Sequence, residues 1–346
     1  MSLSALLATF TPIASLIAIP MLGGYSTSIN LAVLGFAWMT IAASYSPLQL
    51  EAFAPLAIRT VLYILPSLAF LIFDNLVPSL AVEVKSQGQL GIASLQSGGK
   101  RKMWRVVGWS VANVLLTVGM QAGIEFLVTD VFRMRSLLQI KGSKWTLNHL
   151  PYPWTMIKHA VLGLLTRNTI QYYVHTHLLH SPSGGRLADL HQSWHHSVKV
   201  PYSFVANYDH PVCHLLHRFL PLYLPAIAMR MHILTYLVLI AFFSLEETFV
   251  YSGYNILPST IMLRGMARRT DLHMISDGDG NFGQLGVLDW VHDTTIGNDV
   301  VEDLKAEMEK HHVEEKAGRA LDGAGDAANG LAGKLKAKAG KGRRSK

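Results

Sequence analysis

No charged side chain occurs before Glu51. An apolar stretch of that length is enough for two membrane passes, roughly Leu3 to Leu22 and Ser28 to Tyr45, with Gly23-Gly24 as the break between them. A cleaved leader would need a basic start, and the first basic residue is Arg59. A third apolar segment runs from Ala54 to Phe73, with Pro66 placed to kink it, and a fourth, uncharged, from Val106 to Ile124. Between them, Glu83 to Arg105 is polar and Gly/Ser-rich; it reads as a loop, and Lys100, Arg101, Lys102 and Arg105 put it on the cytosolic side. Half the residues are hydrophobic and only 15% are charged. Such a balance excludes an ordinary soluble protein and fits an all-α, multi-span membrane helical bundle.

The formal charge of +7 does not describe this core. The last thirteen residues, 334–346, carry seven basic side chains and no acidic one, so the rest of the chain is electrically balanced. A basic tail of this kind is solvated or faces anionic lipid; on a membrane protein nucleic acid is not an expected partner. The single cysteine, Cys213, excludes an internal disulfide and a zinc ribbon.

Asp130 to Trp154 mixes cations with Leu and Trp and reads as interfacial. Met156 to Tyr173 is a helix that delivers the chain into Tyr172–His217, a window holding nine of the sixteen histidines. Neutral imidazole is the commonest biological metal ligand, and several can share a site without the repulsion between carboxylates. His175 and His180 form H-x4-H, with His177 between them. Ser181 to Arg186 breaks that helix, and a new one starts near Leu187. His191, His195 and His196 follow as H-x3-HH; residues four apart share a helix face, so His191 and His195 can reach one ion. His210, His214 and His217 form a further group, in which His210 and His214 are candidate ligands. His210 equally suits a structural role in a His-Pro turn. Phe219–Met229 and Ile233–Leu245 read as a hairpin that dips into the membrane and returns the chain to the histidine side.

The order H-x4-H, then H-x3-HH, then Val200-Pro201-Tyr202 and His210-Pro211 resembles the fatty acid hydroxylase/sterol desaturase superfamily. So do Ser252-Gly253-Tyr254-Asn255, Gly280-Asn281-Phe282-Gly283 and Leu288-Asp289-Trp290. The resemblance runs from about Leu162 to Gly297. It implies a histidine-bound pair of iron ions, dioxygen as co-substrate, a membrane lipid as substrate, and cytochrome b5 with its reductase as electron donors. It also implies a multi-pass protein of the endoplasmic reticulum membrane with a cytosol-facing, histidine-rich cap. The expected ligands are His175, His180, His191, His195, His196 and His273, with His177 hydrogen-bonding a neighbour.

Three departures stand out. The third box, H-x-x-HH in the family, retains only His273, with Thr270 and Met274 in the other places. Tyr251 stands where relatives often have histidine. Cys213 stands where a glutamate usually follows the His-Pro pair. Asp271, Asp277 and Asp279 lie near the altered box and are competent iron ligands, although S-D-G-D-G also reads as a polar turn.

The expected organisation is an N-terminal membrane region (1–155), a hydroxylase-like domain (156–297), and a charged helix with a disordered basic tail (298–346). The leading function is an iron-dependent lipid hydroxylase or desaturase. A catalytically inactive relative that binds lipid or a partner is the alternative, and a mononuclear zinc hydrolase ranks last because no H-E-x-x-H base is present.

Overall fold

The computed structural model describes residues 33, 35–140, 151–257, 263–307 and 309. The first apolar pass, the opening of the second and the basic tail lie outside them, as do residues 141–150. Residues 35–44 of the second pass are helical. The described elements are α1 (Pro47–Leu76), α2 (Pro78–Val84), α3 (Gly99–Val131), α4 (Pro153–Val174), α5 (Arg186–Trp194), α6, α7 (Ile233–Val250), α8 (Leu263–Ile275) and α9 (Val287–Val291). Helix α6 begins as Pro211–His214, passes through a π-helical turn at Leu215–Phe219 and continues as Leu220–Ala228. Among the described residues there is no strand, only isolated bridges between Lys85 and Tyr254 and between Gln139 and His232. The all-α expectation therefore holds.

Helices α1, α3 and α7 are long and apolar enough to cross a membrane. Their surroundings differ. Phe53, Val61, Leu65, Ile72 and Leu76 of α1 are exposed, as are Leu115 and Phe126 of α3, which suits helices bathed in lipid. Helix α7 is enclosed: Leu237, Leu239, Ile240 and Phe243 are buried in a cluster with Trp38, Leu222 and Tyr223. It forms the inner limb of the expected hairpin. The tip lies at residues 229–232, where Arg230 adopts a left-handed backbone (φ 46°) and His232 Nδ1 caps the new helix by accepting from Leu234 N.

Pro66 sits just after a π-helical turn, and a neighbouring helix meets the cost of its missing N–H. Lacking an N–H, it cannot bond the carbonyl of Leu62. The preceding turn, Thr60–Ile64, widens to a π-helical turn, and Thr248 Oγ1 of α7 donates to Leu62 O at 3.0 Å. In lipid no water can replace that partner, so the proline and the threonine belong together.

The polar segment at 83–105 is only partly the expected loop. Glu83 lies in α2, and Lys100, Arg101, Lys102 and Arg105 form the first turns of α3. The break is Gly98, at φ 94°, where a Cβ would crowd Lys102. Charge did not end the helix, because long basic side chains reach away from an apolar surface while their stems cover it.

Buried ion pairs tie the membrane helices together. Arg59 of α1 meets Glu247 of α7, whose carboxylate also accepts from Asn207 Nδ2 at 2.8 Å. Arg167 of α4 meets Glu246 at 3.1 Å, and Arg218 Nη2 donates to Tyr251 OH at 2.7 Å. These contacts draw α1, α4 and α6 around the end of α7 nearest the histidines.

Candidate metal centre

The H-x4-H spacing has a local explanation. Five residues along an α-helix are about 140° apart in rotation, so His175 and His180 would diverge. Here His175–Leu179 forms a π-helical turn, closed by His180 N donating to His175 O at 2.9 Å. The wider turn brings both rings to one side, with centroids 4.7 Å apart. Single π-helical turns inside α-helices recur at functional sites for this reason.

The second box arrives from the other direction. Helix α5 carries His191 and ends at Trp194, and a 3₁₀ turn holds His195 and His196. The rings of His191 and His195 stack at 5.0 Å, as their spacing implies, while His196 turns to meet His180 at 4.8 Å and His273 at 4.9 Å. His273, near the end of α8, lies 4.7 Å from His175. One ligand atom from each of His175, His180, His196 and His273 falls within 4.8 Å of the others.

The tautomers follow from the hydrogen bonds. A carbonyl can only accept, so a ring nitrogen beside one carries the proton. His175 Nδ1 donates to Phe282 O (2.8 Å), His195 Nδ1 to Tyr208 O (2.7 Å) and His273 Nδ1 to Gly280 O (2.6 Å). His191 Nδ1 faces Asp209 Oδ2 at 2.7 Å. Each ring is thereby fixed in orientation through Nδ1, the arrangement by which proteins orient metal-binding imidazoles, and Nε2 of His175, His191 and His273 is left without a protein partner.

This network also explains the later sequence landmarks. Asn281 exchanges hydrogen bonds with the backbone of Ile296, and Asp289 accepts from Phe282 N and Gly283 N. Together they fix the loop that presents the carbonyls of Gly280 and Phe282. Asn113 of α3 donates to the carbonyls of Asn207 and Asp209 at 2.9 Å each and so steadies the segment facing His191 and His195.

The residues fit a metal. Nε2 of His175, His191 and His273 is buried without a hydrogen-bond partner. An unsatisfied buried polar atom costs roughly 1–3 kcal/mol, and an ion satisfies several at once. His180 Nε2 and His196 Nε2 lie 3.1 Å apart. Two imidazoles bound side by side to one ion, each about 2.0–2.1 Å from it, have donor atoms spaced by about 3 Å. Burial, with the nearby imidazoles adding to it, holds His175, His180 and His196 well below the usual histidine range; it pushes His195 down to about 3 and His273 to about 4. These five imidazoles are thus neutral at pH 7, as ligands must be.

His217 is the member the sequence did not single out. It is buried on α6, 4.3 Å from His175 and 6.1 Å from His191 by ring centroids. The available signal was its place seven residues after His210 and three after His214, on the same helical face. His210 and His214 take other roles. His210 Nδ1 caps α6 by accepting from Val212 N, and its ring packs on Trp194. His214 Nε2 pairs with Thr117 Oγ1 at 3.0 Å. His177 is exposed and stacks on Tyr173 rather than supporting a ligand.

No carboxylate completes the cluster among the described residues. Asp271 is buried near Lys85 and Gln87, where desolvation raises it to about 7. Asp277 pairs with Lys199 and Asp279 is exposed. Met274, in place of a box histidine, belongs to the apolar cluster containing Met266 and Val250. Tyr251 lies 6.3 Å from His195, but its hydroxyl is engaged by Arg218.

Gly278 tests the packing of the cluster. Its φ is 91°, and a Cβ there would overlap the His180 imidazole. Gly278→Ala is expected to cost about 1–2 kcal/mol from the left-handed backbone and also to lower bound metal. Gly185→Ala carries the first penalty alone, because φ is 51° there and no atom lies nearby. Metal analysis and thermal unfolding of both variants check this; equal metal content in the two would mean that His180 does not depend on Gly278.

No solved structure matches the chain. The family model described as fatty acid hydroxylase does match, over residues 160–294, a stretch that spans the histidine cluster from α4 to the loop after α9. Over residues 160–294 this membrane protein is therefore similar to the fatty acid hydroxylase family, in agreement with the resemblance that its histidine boxes carry.

Proposed function

We propose that the protein is an iron-dependent membrane oxidoreductase that hydroxylates or desaturates an alkyl carbon of a lipid with dioxygen. The observation that carries this reading is the set of buried, neutral, tautomer-fixed imidazoles whose inward nitrogens have no protein partner. His175, His180, His196 and His273 would hold one ion, and His191, His195 and His217 a second. Iron bound there supplies the oxidising power that attack on an unactivated C–H bond requires.

The protein's own groups do the rest. Asp209 and the carbonyls of Phe282, Tyr208 and Gly280 keep the Nδ1 protons away from the ligand face and stop the rings from rotating. Phe282 packs on His175, His180 and His273 and keeps water from that side. The chain has no nicotinamide or flavin fingerprint, so electrons come from outside, with cytochrome b5 and its reductase as the proposed donors. The proposed setting is the endoplasmic reticulum membrane, with the histidine cap on the cytosolic face. An inactive relative would retain the altered third box, but several unsatisfied buried imidazole nitrogens would then burden the fold with no compensating ligand.

The test is a lipidomic comparison of cells expressing the wild type or Asp209→Asn. A new hydroxylated or unsaturated sterol, sphingoid base or fatty acid, strongly diminished in the variant, is expected. Identical profiles for wild-type and non-expressing cells would overturn the enzyme reading.

A further inference from the structure

Behind the His195–His196 corner lies a cavity of about 740 Å³. Arg101, Lys102 and Arg105 of α3 line one wall, and Ser193, Trp194, Ser197 and Tyr208 the other. We infer that this cavity binds a phosphate group, presented by a lipid head group or by a soluble phosphate.

Three physical features point the same way. Arg101 and Arg105 are four apart on one face of α3, so their like charges repel. Both lie in the first two turns of a long helix, where the backbone dipole disfavours cations, and no acidic residue stands in that first turn. Lys102 lies on the same wall, its ammonium donating to Ser197 O, and Lys199, a neighbouring cation outside the cavity, is already paired with Asp277. Among the described residues, no carboxylate pairs with Lys100, Arg101, Lys102 or Arg105. An anion in the cavity relieves all of these costs, and paired guanidinium groups match the geometry of phosphate oxygens.

The position favours a lipid as the source. Trp104, between Arg101 and Arg105, and Trp109, one turn further along α3, are 56% and 37% exposed, as suits the level of membrane head groups. The inference does not depend on the metal reading, because none of these side chains belongs to the histidine cluster.

The full chain in neutral detergent is titrated with dioctanoyl phosphatidic acid, inorganic pyrophosphate, dioctanoylglycerol and polyglutamate at physiological ionic strength. Saturable binding of a phosphate probe is expected, weakened at least about tenfold in Arg101→Gln/Arg105→Gln and largely kept in Arg101→Lys/Arg105→Lys. Tighter binding of phosphatidic acid assigns the lipid source, and tighter binding of pyrophosphate the soluble one. Equal affinity in the glutamine variant, equal binding of dioctanoylglycerol, no binding of either phosphate probe, or binding of polyglutamate alone would overturn the inference. The last result would assign the cavity to an acidic protein.

Discussion

Replacing His273 by Ala is expected to lower metal affinity by at least about a hundredfold, because even residues that merely orient ligands contribute about 10- to 100-fold. The ring sits 4.7 Å from His175, 5.0 Å from His180 and 4.9 Å from His196, so its removal opens one whole side of the four-histidine group. His217→Ala should also lose metal, with the other half of the cluster opened. His210→Ala should keep its metal and lose only a helix cap, about 0.5–2 kcal/mol. Metal stoichiometry of the purified proteins, measured by elemental analysis, decides the matter. Full metal content in His273→Ala, or a loss in His210→Ala equal to that in His217→Ala, would show that the ligand set is misassigned.

Glu247→Ala is expected to destabilise the protein by about 3–5 kcal/mol, the usual consequence of leaving one charge of a buried pair alone. Arg59 would have no carboxylate beside it, and Asn207 would lose its acceptor. The double variant Arg59→Met/Glu247→Met should recover most of the loss, since two apolar side chains of similar size bury no charge. Denaturant or thermal unfolding in detergent measures both. If the single and double variants unfold alike, the pair does not hold α1 to α7.

Much of the architecture was legible because it depends on local pattern. Apolar runs about as long as a bilayer's hydrocarbon core leave helices as the simplest outcome; α1 and α3 appear where such runs lie, and α7 where the second limb of the hairpin was expected. That His175, His180, His191, His195 and His196 would lie close together was legible in their spacing along the chain, whereas His273 was reached only through the family resemblance. The end of the loop at 83–105 was misjudged, since cations that can reach the membrane surface do not stop a helix as a glycine in a left-handed conformation does.

The helical class, the approximate spans and the residue type of the site could be read from the amino-acid order alone. Those follow from hydropathy and from imidazole chemistry, which need no knowledge of neighbours. Which histidines converge depends on how the helices pack. Helical phase would have kept His175 and His180 apart, and a π-helical turn joins them. His210, His214 and His217 share one face by spacing, yet only His217 reaches the cluster, because a second π-helical turn shifts the phase of α6 and Thr117 of α3 engages His214. The carbonyls that fix the tautomers lie 7 to 107 residues from the rings they serve, a pairing that only the packed chain can establish.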